Sequence, residues 1–232
     1  MDPLYGTPVA ALGDDARAAF LTRTYTHLLG AILLFAGIEV FFFASGLALP
    51  MAEAMLSVSW LAVLGGFMIV SWFASRAAAQ AESKAAQYGA LAAFVLAEAI
   101  IFVPLLVMAE IYAQQTGSSV IGSAAWVTVL GFSALTAIVF FTGKDFSFLG
   151  GMLKWGMGLA LVAIIAGVLF GFELGTWFSV GMVGLAGAAI LYDTSKILNS
   201  YPEDRYVSAA LQLFASVALM FWYVLRLFMS RD

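Results

Sequence analysis

The sequence predicts an all-α membrane protein, a polytopic bundle of seven transmembrane helices, and three observations carry that expectation. The 232-residue chain is 63% hydrophobic and only 10% charged, and its mean hydropathy of +1.01 is far above that of a soluble domain. Its apolar residues fall in runs of about 20, the length at which a helix crosses a hydrocarbon core of about 30 Å. Those runs are continuous, where a membrane barrel strand would alternate over about 10 residues. Seven such helices use about 140 residues, so the connections must be short and no separate soluble domain fits.

Residues 1–26 read as an amino-terminal tail and 27–232 as the membrane domain. The tail carries Pro3, Gly6, Pro8 and Gly13 and few bulky apolar side chains, so it is expected to be largely flexible, with Asp14 placed to cap a short helix through Phe20 and Leu21. The first span is expected at about 27–48. Its apolar stretch exceeds the roughly 7–15 residues of a signal-peptide core and includes Glu39, so it is expected to stay as an anchor. The remaining spans are expected at about 57–75, 86–112, 119–142, 147–170, 175–198 and 207–229. Turn chemistry and charge coincide at the breaks: Leu49-Pro50 with Glu53, Gln114 to Gly117, Gly143-Lys144-Asp145, and Asn199 to Arg205.

Loop charge sets an expected orientation. Arg17, Arg23, Arg76, Lys84, Lys144, Lys154, Lys196 and Arg205, eight of the 10 bases, lie on the side of the amino terminus, leaving Arg226 and Arg231 opposite. Positive loops stay inside, so the amino terminus is expected in the cytoplasm of a cell whose inner, or plasma, membrane holds the chain. The outer loops carry Glu53, Glu110 and Glu173 with no base.

Much chemistry is excluded. There is no cysteine and only one histidine, His27, which removes thiolate nucleophiles, disulfides, iron-sulfur ligation and paired-histidine metal motifs. His27 falls at a membrane boundary, where its ring is expected to snorkel. The last span has no lysine for a retinal Schiff base. A net charge of -4 gives no basic footprint for nucleic acid. No metal, cofactor or catalytic residue is expected, and the chain is not read as an enzyme.

Acids inside spans carry the most weight, because even mild insertion scales charge roughly 2.5–3.5 kcal/mol for Asp at a helix centre. Glu39 and Glu98 each lie about twelve residues into a span, roughly 18 Å deep at 1.5 Å per residue. Each is either a functional group facing other helices or a protonated acid that simply bonds between them. Asp193 lies roughly 8 Å from the amino-terminal-side end of the sixth span. It reads as a functional site, with a local pair to Lys196 one turn on as the structural alternative. Pro104 is expected to bend the third span. Gly181, Gly184 and Gly187, and Gly167 with Gly171, read as helix-packing positions. Trp60, Trp72, Trp155, Trp177 and Trp222 read as anchors to lipid headgroups or contacts for a partner helix.

Three segments carry a resemblance: FTGKDFSFLGGML at 141–153, ILYDTSKIL at 190–198 and RYVSAALQLFASVALMF at 205–221. Together they resemble the Bax-inhibitor family, and within it the YccA-like bacterial branch, which shares a similar KDxSFLGGML and a terminal SRD. The match is specific over 128–232; over 1–127 only the number and spacing of spans agree.

The resemblance implies a seven-helix bundle in which a carboxylate of the sixth span, here Asp193, faces a polar residue of the seventh, here Ser216. In calcium-leak members that second residue is also an Asp, and the pair shares a proton. A serine neither titrates near neutral pH nor adds charge for a divalent cation. In the YccA-like branch the residue is likewise Ser, and the implied role is modulation of the FtsH membrane protease, with the chain acting as a slowly degraded substrate whose tail is the handle. The alternative is a pH-sensitive leak for Ca²⁺ or other cations past Asp193. An intramembrane hydrolase ranks last, for want of a nucleophile. If Asp193 is ionised, a base such as Lys196 or Arg76 is expected to help Ser216 hold it.

Overall fold

The computed structural model describes residues 8–81 and 83–230. Pro3, Gly6 and Arg231, singled out above, lie outside those residues. Among the described residues the protein is helical: α1 (Asp14–Ala44), α2 (Ala48–Ser57), α3 (Trp60–Gln80), α4 (Lys84–Thr116), α5 (Val120–Thr142), α6 (Leu149–Phe170), α7 (Thr176–Asn199) and α8 (Tyr206–Met229), with two single 3-10 turns at Val9–Ala11 and Glu203–Arg205. All but α2 are long and apolar enough to cross a membrane, giving seven spans.

Two boundaries differ from expectation. The first helix starts at Asp14, not near residue 27, because residues 14–26 contain neither Gly nor Pro to stop it and a helix need not end where the apolar run does. Gly13 occupies the cap and Asp14 the first turn, where its charge complements the helix dipole. Residues 8–26 are therefore structured, not a free tail. Val9 is fully buried, its N–H donates to Tyr201 O at 2.9 Å, and Pro8 bridges Pro202. The second difference is α2, where the break at Leu49-Pro50 read as a loop. Pro50 sits in its first turn, where a missing N–H costs nothing.

The bundle is built around α8. Its most apolar window is 72% buried, against 11% for α3 and α6 and 17% for α5. Helices α1, α3, α4, α5 and α7 all pack on it. Its sequence allows this: Ser208, Ala209, Ala210, Ser216 and Ala218 are buried on α8, and small side chains let neighbouring backbones approach where lipid supplies no hydrophobic drive. The large apolar residues of the outer helices face outward instead. Phe141, Trp177, Phe170 and Trp155 are 91%, 86%, 80% and 77% exposed, as lipid-facing side chains should be.

α6 is the outlier, resting mainly on α7 with slight contact to α3. Its seat on α7 depends on glycine. A Cβ on Gly150 would meet the Tyr192 ring at 2.9 Å, and one on Gly156 would meet Leu185 at 2.6 Å. The packing positions expected at Gly181 and Gly184 have open space around them; of that series only Gly187 is in contact, against Leu135 and Met220. α4 continues as one helix through Pro104.

Candidate functional site

The loops at the amino-terminal end of the bundle are tied together by polar contacts. Arg205 Nη1 donates to Ala81 O at 2.6 Å, joining the α7–α8 and α3–α4 connections. Lys84 Nζ donates to Asp204 O and lies over the Tyr206 ring. His27 does more than snorkel: its Nδ1 donates to Arg23 O at 2.6 Å and its Nε2 meets the Tyr88 hydroxyl at 2.9 Å.

The segment Gly143 to Phe148 shows what its motif is for. Gly143 ends α5 in the left-handed conformation, at φ 60, which glycine adopts without a Cβ penalty. Asp145 then accepts from Ser147 N–H at 2.8 Å and from Ser147 Oγ at 3.0 Å. These bonds, the backbone one first, hold the Asp145 carboxyl below the usual carboxylate range. Ser195 of α7 donates to Asp145 Oδ1 at 3.2 Å and accepts from Phe146 N–H at 2.9 Å. The loop before α6 is thus latched to α7 two residues beyond Asp193. Sequence reading passed over Ser195 because one serine in a helix has many ordinary uses; the signal was its place within YDTSK.

Asp193 is 2% exposed and Ser216 5%, and Ser216 Oγ donates to Asp193 Oδ2 at 2.6 Å. Gln212, one turn earlier on α8, also reaches the carboxylate. The expected bases do not pair with it. Lys196 is exposed, acts on Asp193 only as a nearby charge, and places its Nζ 5.8 Å from the centroid of the Tyr192 ring and 5.9 Å from that of Tyr201. One turn along a helix puts two side chains near each other, but here the lysine leans to solvent and aromatic faces. Arg76 lies on α3 with its guanidinium over Trp72 and its Nε bonded to Gln80, so it is occupied on its own helix.

Asp193, Ser216 and Gln212 form part of the lining of a crevice of about 1040 Å³ between α3, α4, α6, α7 and α8. Glu98, 7% exposed, lines the same crevice. α4 begins and α7 ends at the amino-terminal end of the bundle, with Glu98 fourteen residues in from Lys84 and Asp193 six from Asn199, so Glu98 is the deeper carboxyl. Glu39 stands apart, buried on α1, with no hydrogen-bond partner for either oxygen among the described residues. The described residues hold no cluster of three or more His, Cys, Asp or Glu able to ligate a metal.

A family model described as Inhibitor of apoptosis-promoting Bax1 matches residues 17–232. The chain belongs to the Bax-inhibitor family. Among relatives, it is similar to the Modulator of FtsH protease YccA of Escherichia coli K12, at 33% identity over 124 residues, which is 52% of this chain and 56% of the relative. The same figures hold for the Inner membrane protein YccA of Escherichia coli O6:H1. PA2604 of Pseudomonas aeruginosa is 37% identical over 115 residues, 48% of this chain and 50% of that protein. The chain thus spans about half the length of the curated relatives it matches. In this Bax-inhibitor protein two separate polar contacts, Ser195–Asp145 and Ser216–Asp193, tie α7 to the loop before α6 and to α8.

Proposed function

We propose that this chain is a multi-pass inner-membrane protein that modulates an FtsH-type protease, with its amino terminus in the cytoplasm, acting as a slowly degraded substrate and not as a catalyst. The observation that carries the reading is the similarity to the Modulator of FtsH protease YccA, at 33% identity over 124 residues. The seventh-span serine supports it, since Ser216 gives Asp193 a hydrogen bond but no second carboxylate. So does the clamp at residues 8–9. A protease pulling from the amino terminus would meet the Val9–Tyr201 bond and the Pro8–Pro202 bridge before reaching α1. A substrate held that way enters slowly and occupies the enzyme.

Mild-detergent pull-down of tagged full-length protein is expected to recover FtsH with its membrane partners, and the chain's half-life is expected to lengthen in cells depleted of the protease. Repeated recovery of no protease, with an intact bundle and an unchanged half-life, would remove the proposal. A second reading, a cation leak with Ca²⁺ as its charge carrier, draws on the placement of Glu98 and Asp193 in one crevice. Ion flux in liposomes separates the two.

A further inference from the structure

Three carboxyl groups line the crevice, buried Glu98 and Asp193 and exposed Glu173, and among the described residues no base is paired with any of them. Glu98 is more than nine-tenths buried, lines the crevice, and has neither a hydrogen bond nor an ion pair among the described residues. Asp193 has its hydroxyl donor but no cation. Of the two bases that line the crevice, neither pairs with a carboxyl among the described residues. Arg226 bonds Leu174 O at 3.4 Å and lies against the Tyr223 ring, and Lys154 is on the exposed surface of α6. A carboxylate left without a partner in a low-dielectric site is costly, and either a proton or a cation relieves it.

The walls say what kind of cation. Trp60 and Trp222 stack at 6.2 Å, Phe102 meets Trp222 edge-on at 4.9 Å, and all three line the crevice with Phe67 and Phe94. Aromatic faces attract a weakly hydrated, diffuse cation and bury its apolar body. A hydrated metal ion needs the opposite: several oxygen ligands converging on a point, at roughly 2.0–2.6 Å. A volume of about 1040 Å³ matches the upper end of ligand sites, roughly 300–1000 Å³. The slight contact of α6 with α3 leaves that side as a route from the bilayer.

We propose that this crevice is a binding site for lipophilic organic cations, amines or quaternary ammonium and phosphonium compounds, with Glu98 as the charge partner and the Trp60–Trp222–Phe102 wall holding the apolar body. A protonated amine and a carboxylate meet there as an ion pair, and a neutral amine meeting the carboxylic acid has the same proton content. A fixed-charge cation pairs with Glu98 as the carboxylate, any proton the carboxyl carried leaving to solvent. The site stands independently of the protease reading, and loss of protease association would leave it intact.

The test uses full-length protein in phosphatidylcholine nanodiscs with two probes of the same shape and opposite charge, tetraphenylphosphonium and tetraphenylborate. Equilibrium dialysis is expected to give saturable phosphonium binding, one per chain, with only linear partitioning of the borate. Tryptophan quenching should saturate at the same concentration, since Trp60 and Trp222 form the wall. Glu98→Gln should weaken phosphonium binding at least tenfold with an unchanged unfolding midpoint. Linear uptake of both ions by the unaltered protein would overturn the proposal, and so would full affinity in a folded Glu98→Gln variant. The two-probe comparison needs no variant and stands even if Glu98→Gln does not fold.

Discussion

The hydroxyl of Ser216 points across the α7–α8 interface and donates to Asp193 Oδ2 at 2.6 Å, with both side chains buried. Interhelical hydrogen bonds in membranes average about 0.6 kcal/mol and reach about 1.7, and bonds to charged groups sit toward the top of the range. Ser216→Ala is therefore expected to cost about 1–2 kcal/mol. Asp193→Asn should cost less, because the amide oxygen still accepts from Ser216. Thermal unfolding in detergent reads both. A Ser216→Ala protein as stable as its parent would mean that this bond does not hold the last two spans together.

The same pair sets an expectation for ion movement. With one carboxyl and one hydroxyl there is no shared proton to release, so calcium flux in liposomes should be weak, with a shallow pH profile. Ser216→Asp should steepen the profile by creating two neighbouring carboxyls that cannot both ionise freely. Strong, sharply pH-gated calcium flux in the unaltered protein would return it to the leak class.

Acid should loosen the loop before α6. Asp145 is held below the ordinary carboxylate value, about 3.9, by the bonds from Ser147. A carboxyl lowered in the folded state contributes stability above its unfolded value, and that contribution disappears as pH falls through the folded one. The stability gap between the parent and Asp145→Asn should be full at pH 7 and close below about pH 4. Unfolding midpoints across that range measure it. A gap unchanged down to pH 3 would show that the charge of Asp145 adds nothing to the latch on Ser195.

Two changes near the amino terminus should act in opposite directions on turnover. Deleting residues 2–15 removes the segment a protease would grip and should lengthen the half-life. Val9→Ala keeps the segment but vacates a fully buried site, at about 1–2 kcal/mol for the lost methyl groups, and should shorten it. Both effects should vanish in cells lacking FtsH. Pulse-chase measurements in which the two variants decay like the parent would dismiss the segment as handle and as clamp.

Seven helices were legible because span length and continuous apolarity are set by the bilayer and require no knowledge of tertiary contacts. Asp193 was legible for a related reason, being an acid where acids are costly. What escaped depends on three-dimensional neighbours. Residues 49–56 read as a connection because Pro50 looks like a break, yet α2 runs through them, since a proline in a first turn breaks nothing. Lys196 and Arg76 were plausible partners by spacing, but side-chain direction turned each toward an aromatic ring. Glu98 and Asp193, ninety-five residues apart, share a crevice that no local pattern encodes.

The position of α8 also bears on how the protein is made. Five of the other spans pack against it, yet of the seven it is the last to leave the ribosome. Until it arrives, α1, α3, α4, α5 and α7 sit in the bilayer with their inward faces lacking their main partner and the Asp193 carboxyl lacking its hydroxyl donor. Insertion of the earlier spans and closure of the bundle are thus separate events in time, and the interval between them is when a quality-control protease finds the most to hold.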